Sequence, residues 1–474
     1  MKRPVLWIAI EVWVCVSVGV TATAVSQVHL GWSTNDVYTT MTVLWHADVE
    51  ADYRVTYGLS SQVDAASYPN KIVGRPAKIH PTRAPDGAPI TTIAFDGTYY
   101  RAELTGLRQG TTYYFRVEDP SSGESTREWS FRTIQLGQMV KFTFAGDSQR
   151  PYETHDGEFG QLVDRPAAPA NWPTMRDFIT QAMAYVEPDF VLGLGDFVAQ
   201  GNNQAQWSHW FDAWQEHAVT RYGRMIPIVP VIGNHDIGEH PDVDASYEWF
   251  LGLFAVPQIA TSKPWYSLDF PNLHLTVLSA TSQQAGSNRT KARVEAESQQ
   301  EWLAADLESS ADAMWKIVAF HYNYLGCFAS CTGYPSDDYM TSWTPALEQH
   351  GANVVLMGHV HNYTRSWPID LRLDGACGIT GFEADLQKSS EDGITYVVSG
   401  TWGAPNDAIV EGTNCALREW IAAVGGHPSY GLVRVEEDTV AVTALDTAWA
   451  IIDHFTLPYV TASFPTPEYV RMVP

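Results

Sequence analysis

The sequence predicts an N-terminal antiparallel β-sandwich followed by a layered α/β domain. Three observations carry this reading. Between Val28 and Thr133 short runs alternate apolar and polar residues, with Gly and Pro between them and no stretch of helical period. From Met139 onward the texture changes to strand, loop, helix, strand. Apolar runs of this second part stop at polar signatures: in chain order Gly146-Asp147, Gly195-Asp196, Gly233-Asn234-His235-Asp236, His321, and Gly358-His359-Val360-His361. Side chains at strand ends of an α/β sheet gather in one place.

The chain has 474 residues, with 45% hydrophobic and 18% charged residues, a composition that packs a core and exceeds one ordinary domain. Its net charge of −25 argues against a nucleic-acid-binding surface and against anionic membranes. Residues 1–24 read as a signal peptide: Lys2 and Arg3, an apolar run from Val5 to Val20, then Ala22-Thr23-Ala24. No later stretch reaches the roughly 18 to 20 apolar residues of a membrane span, so the mature protein is expected to be secreted, periplasmic or extracellular. Once Cys15 leaves with the signal, Cys327, Cys331, Cys377 and Cys415 remain, an even number suited to an oxidising compartment. Of three connectivities the favoured one pairs Cys327 with Cys331 and Cys377 with Cys415. The alternative, a four-cysteine zinc site, lacks close spacing in the second pair.

The expected boundaries are 27–135 for the sandwich, 139–460 for the catalytic domain and 461–474 for a tail. In the sandwich, Met41–Trp45, Asp52–Gly58, Tyr99–Leu104, Thr112–Val117 and Trp129–Arg132 read as strands. Leu107-Arg108-Gln109-Gly110-Thr111-Thr112-Tyr113 resembles the tyrosine corner of fibronectin type III domains, with Gln109 where proline is usual. Nothing here has metal-ligand spacing, so the domain reads as accessory.

In the second part, Val140–Ala145 is a strand ending at Gly146-Asp147-Ser148-Gln149. Met175, Phe178, Ile179, Ala182, Met183 and Val186 recur at helical spacing until Pro188. Phe190–Leu194 and Ile226–Ile232 are the next strands, and Trp207, Trp210, Phe211 and Trp214 stripe a helix between them as core packing. A helix around Gln300–Leu307 leads into strand Trp315–Phe320, and Val354–Met357 is the strand before the paired histidines.

The ordered set G-D, G-D, G-N-H-D, strand-His and G-H-V-H-x-Y resembles the calcineurin-like metallophosphoesterases, and with the preceding sandwich it looks most like their purple acid phosphatase branch. The resemblance extends to Tyr430–Val433 and Ile452–Phe455, which read as closing strands. It implies a four-layer α/β/β/α catalytic domain and two divalent metal ions, Zn, Mn or Fe. Asp196 would bridge them, Asp147 and His361 would hold the first, and Asn234, His321 and His359 the second. These hard oxygens and imidazoles suit such ions. His235 would assist the leaving group, Asp236 would orient its imidazole, and a metal-bound hydroxide would attack phosphorus in line. The implied function is hydrolysis of small phosphate monoesters. The alternatives are a phosphodiesterase or nucleotide pyrophosphatase on the same site, and a non-catalytic wall- or polymer-binding protein.

The sequence departs from the family at two points. Purple acid phosphatases carry a tyrosine three residues after the bridging aspartate, where this chain has Ala199. Without that phenolate a ferric–divalent pair would carry about +2, whereas two divalent ions return to about +1. A ferric-tyrosinate site is therefore not expected, and Gln149 becomes a candidate amide ligand for the first metal. After His321, Ser330-Cys331 stands where plant relatives place a histidine pair, which leaves the substrate open. Arg150, Asn202, Asn323, Tyr324 and Tyr363 are candidate substrate-binding residues, and oligomeric state is not encoded in any feature read here.

Overall fold

The computed structural model describes residues 25–77, 96–149, 174–237, 243–257, 263–281, 289–323, 336–369, 393–405, 421–426 and 428–457. The signal segment, the tail from 461, Arg150, Tyr324 and all five cysteines lie outside the described residues.

The first half is a two-sheet sandwich. Strands β1 (Val25–Gly31), β2 (Met41–Ala47), β3 (Arg54–Gly58), β4 (Asn70–Val73), β5 (Arg75–Pro76), β6 (Thr98–Leu104), β7 (Thr112–Glu118) and β8 (Trp129–Arg132) form sheets ordered β1-β2-β6-β5 and β4-β3-β7-β8. The tyrosine corner is present: the Tyr113 hydroxyl accepts the Arg108 N–H at 2.9 Å.

The second half stacks two further sheets. Strands β9 (Val140–Ala145), β10 (Phe190–Gly193) and β11 (Ile228–Pro230) are parallel. Pro227 and Pro230 lack an N–H, which suits β11 to its edge position and cuts it shorter than the apolar run suggests. Helices α1 (Met175–Tyr185) and α2 (Gln204–His217) follow β9 and β10. Thr174 caps α1 by accepting the Asp177 N–H, and Asn203 caps α2. The tryptophan stripe of α2 is core: Trp207, Trp210, Phe211 and Trp214 are all buried.

After α3 (Val243–Leu253) come β12 (Tyr266–Phe270), β13 (Leu273–Val277), α4 (Arg289–Ser309), β14 (Trp315–Phe320), α5 (Ser336–Gln349), β15 (Val354–Met357), β16 (Tyr363–Ser366), β17 (Thr395–Ser399) and β18 (Ile421–Gly425). The strands form a seven-stranded sheet, order β12-β13-β14-β15-β17-β16-β18. Its central strands alternate between two cores. Ile317, Ala319, Val354, Leu356 and Val397 face the core shared with the first sheet, while Val318, Phe320, Val355, Met357 and Val398 face the core around Leu303, Leu307 and Trp343 of α4 and α5. Burial on both faces explains the unbroken apolar runs before each ligand. The closing strands β19 (Ser429–Val435), β20 (Val440–Asp446) and β21 (Ile451–Leu457) complete the other sheet, order β11-β10-β9-β19-β20-β21. The four-layer arrangement of the α/β part is therefore present, with the closing strands where the sequence placed them. The sandwich shares a continuous core with this part, Trp32 meeting Phe190 and Phe270 edge-on at 6.2 and 5.8 Å.

Candidate metal centre

The strand ends meet where the two sheets face each other. Each of three strands stops at glycine and is followed by a residue in the left-handed region: Asp147 (φ 65°), Asp196 (φ 56°) and His359 (φ 72°). Side chains with a Cβ adopt this conformation at a cost of about 1–3 kcal/mol each, and it persists where surrounding contacts fix it. Those contacts are backbone bonds between loops. Asp147 N–H donates to Gly195 O (2.9 Å), Gln149 N–H to Asp196 O (3.0 Å) and Gly358 N–H to His321 O (3.0 Å). The loops approach so closely that a Cβ on Gly358 would lie 2.8 Å from Asp147 Oδ2, and one on Gly195 2.6 Å from His321 Nδ1.

Two groups of donor atoms result. In one, Asn234 Oδ1 lies 3.0 Å from His321 Nε2 and 2.9 Å from His359 Nδ1. His321 Nδ1–H donates to Leu194 O at 2.7 Å, which fixes the ring with Nε2 toward the group. In the other, Asp147 Oδ1 lies 3.3 Å from His361 Nε2, and His361 Nδ1 is taken by Pro405 O at 2.8 Å. The Gln149 amide joins this group, 3.4 Å from His361 Nε2. Asp196 Oδ2 faces both, 3.1 Å from His321 Nε2 and accepting from Gln149 Nε2 at 3.4 Å.

Asp147, Asp196, Asn234 and His321 form a buried floor, and His235, His359 and His361 a half-buried rim. Burial works against ionisation of Asp196, yet facing His321, His235 and His359 hold its carboxyl well below the usual range. Burial also works against charge on His321, but the Asp196 and Asp147 carboxylates push it up to about 9. His359 is driven down to about 3 by burial and by His321.

The residues fit metal ions on their own chemistry. Asp147 Oδ1 and Gln149 Oε1 are buried acceptors that find no hydrogen-bond partner among the described residues. Asp147 Oδ1 sits beside His361 Nε2, whose partner ring nitrogen is already committed to the Pro405 carbonyl. Asp196, His321 and His359 bring one ligand atom each to within 4.8 Å of one another.

Residues 140–363 match the model of the calcineurin-like phosphoesterases, and residues 25–133 that of the purple acid phosphatase N-terminal domain. The chain carries a calcineurin-like phosphoesterase domain behind a purple acid phosphatase N-terminal domain. An uncharacterized Mycobacterium tuberculosis protein is 28% identical over 63% of this chain and 57% of its own length. Purple acid phosphatase 15 of Arabidopsis thaliana is 22% identical over 57% of this chain and 50% of its own. The chain thus spans 50–57% of the length of these curated relatives. Purple acid phosphatase PPD1 of yellow lupin shares the fold at a TM-score of 0.68 and 17% identity, covering 92% of this chain and 74% of the lupin chain. PhoD does so at 0.59 and 13%, covering 89% and 86%.

Two expectations for the candidate site are corrected by its contacts. Asp236 does not orient the His235 imidazole: His235 Nδ1–H donates to Ala199 O at 2.9 Å, and the Asp236 carboxylate is occupied by backbone N–H groups. Tyr363 does not face substrate. It is 1% exposed and its hydroxyl donates to Asp453 Oδ2 at 2.8 Å, beside the Arg365 guanidinium that grips the same carboxylate. Asn323 is buried next to His321, and Asn202 is half-buried in the loop before α2. Sequence reading missed Tyr322, whose ring centroid lies 4.3 Å from that of His359. Its position directly after His321 was the available signal.

Proposed function

We propose that the chain is an exported two-metal phosphoesterase that hydrolyses phosphate monoesters. The observation that carries this is the placement of Asp196 Oδ2 between the two groups, 3.1 Å from His321 Nε2 on one side and accepting from Gln149 Nε2 at 3.4 Å on the other, beside Asp147 and His361. Asp147, Gln149 and His361 would hold one ion, Asn234, His321 and His359 the other, with Asp196 shared. Two such ions supply the Lewis acidity that activates water and clamps a phosphoryl group.

The chain's own residues supply the rest. His235 donates Nδ1–H to the Ala199 carbonyl, which leaves Nε2 to take up a proton; the imidazolium so formed would deliver that proton to the departing ester oxygen. The buried floor of Asp147 and Asp196 keeps both carboxylates out of bulk water, so their attraction for cations is little screened. Ala199 offers no phenol, so the proposed pair is divalent and the protein colourless. Asn202 and Asn323 are retained as substrate-facing groups. Export rests on residues 1–24 and on the four remaining cysteines, with Cys327–Cys331 and Cys377–Cys415 as the proposed pairs.

The test is metal analysis of the purified protein together with paired hydrolysis of a chromogenic phosphate monoester and its bis-ester. Two equivalents of divalent metal with faster monoester release support the proposal. Preference for the bis-ester reassigns the chain to the phosphodiesterases, and absence of both metal and turnover leaves a binding protein.

A further inference from the structure

We infer that Asp236 is the positioning residue that holds the bridging carboxylate in place, and that it acts on metal retention instead of on proton transfer. The inference rests on the two-metal reading above. Asp236 is 1% exposed. Its Oδ2 accepts the N–H of Asp196 at 2.9 Å and of Gly233 at 2.8 Å, and its Oδ1 accepts the N–H of Phe197 at 2.8 Å. With the Val198 N–H 3.4 Å from Oδ1, four backbone donors from two strand-end loops converge on one carboxylate. Two of them, Asp196 and Phe197, flank the peptide of the residue whose φ of 56° the loop must maintain.

The clasp is reciprocal. Asp196 Oδ1 accepts the His235 N–H at 2.8 Å, so each aspartate grips the loop that carries the other. This commits Asp196 Oδ1 to the backbone and turns Oδ2 toward both donor groups, the orientation a shared ligand requires. Gly201 N–H donates to His235 O at 2.7 Å and ties the following loop to the same turn. Nothing in this arrangement reaches the His235 ring, whose Nδ1 is held by Ala199 O. Replacing the carboxylate by an amide puts an NH₂ against backbone N–H donors. One or more of those donors then loses its acceptor, and the left-handed turn at Asp196 loses its support.

The experiment loads wild type, Asp236→Asn and His235→Ala with Mn²⁺ and reads metal stoichiometry and the electron paramagnetic resonance signature of an exchange-coupled pair. The wild type is expected to hold two coupled ions. Asp236→Asn is expected to bind the second ion 10- to 100-fold more weakly, in the range seen when a supporting residue of a metal ligand is removed. Its spectrum then becomes that of isolated Mn²⁺. His235→Ala is expected to keep the coupled pair while losing turnover. A purely structural role would lower the melting temperature of Asp236→Asn without uncoupling the ions, so a coupled pair of wild-type affinity in that variant overturns the inference alone. A wild type without a coupled pair overturns the two-metal reading and this inference with it. Should Asp236→Asn fail to fold, Asp236→Glu decides: it keeps the charge but offsets the acceptors, and a weakening of about 10-fold is expected, whereas unchanged affinity overturns the inference.

Discussion

His321 and His274 are both buried imidazoles set against carboxylates, and opposing carboxylates push both up to about 9 despite burial. They nevertheless belong to regions of opposite character. His274 donates Nδ1–H to Asp269 Oδ1 at 2.7 Å and Nε2–H to Asp306 Oδ2 at 2.9 Å. Asp306 also accepts from Ser267 (2.6 Å) and Thr276 (2.9 Å), and Asp269 accepts from Asn35 of the sandwich at 2.6 Å. That cluster is closed, every acceptor being met by a protein donor. Around His321 the donors run short: Asp147 Oδ1 and Gln149 Oε1 find no hydrogen-bond partner among the described residues, and two imidazole nitrogens converge on Asn234 Oδ1. Residue type and proton affinity therefore do not mark the functional site. Unmet acceptors aimed at a common point do.

The comparison breaks most sharply at Asp196. Asp196→Asn removes the one carboxylate that, among the described residues, faces both donor groups, and turnover is expected to fall roughly 10³-fold or more with loss of at least one metal. Steady-state kinetics with metal analysis check this, and two retained metals with near-normal rate would refute the site assignment.

The closed cluster predicts the converse. Asp306→Ala leaves buried His274 one carboxylate short and is expected to cost about 3 kcal/mol in urea unfolding, with metal content unchanged. The same cluster sets a pH dependence. The folded value of His274 near 9 lies above the reference 6.5, so the folded state binds the extra proton. Its contribution, at most about 3 kcal/mol, is complete below the reference value and is lost as pH rises through about 9. His274→Gln should flatten stability over that window while leaving metal content untouched, and an unchanged slope would mean the imidazole is neutral.

Gln149 gives the smallest effect and sharpens the comparison most. If its orphaned amide oxygen belongs to the first metal, Gln149→Ala weakens that ion roughly 10- to 100-fold, measured by competition with a chelator. A silent variant would place Gln149 with ordinary loop residues.

Much of this was legible in the chain. Gly146-Asp147, Gly195-Asp196 and Gly358-His359 announce strand ends locally, because a buried strand must stop and turn before it can present a ligand. The runs Val140–Ala145, Trp315–Phe320 and Val354–Met357 became β9, β14 and β15 without change. By contrast α3, α5, β12 and β13 were not read. Their residues carry no ligand, and β13 is buried throughout, which erases the alternation that marks a strand.

Asp236 and Tyr363 show where local reading fails. Each was assigned by its neighbours in sequence, His235 and His361. Their partners are the amides of Asp196 and Phe197, some 40 residues upstream, and the carboxylate of Asp453, 90 residues downstream. The sequence by itself determined which residue types end the strands, and hence the candidate ligands, because spacing along one strand and its turn is a local property. Only the tertiary structure decided which polar atoms remain unmet and which are consumed by distant backbone. Hydrogen-bond satisfaction is settled by whatever groups the packed sheets bring within about 3 Å, whatever their separation along the chain.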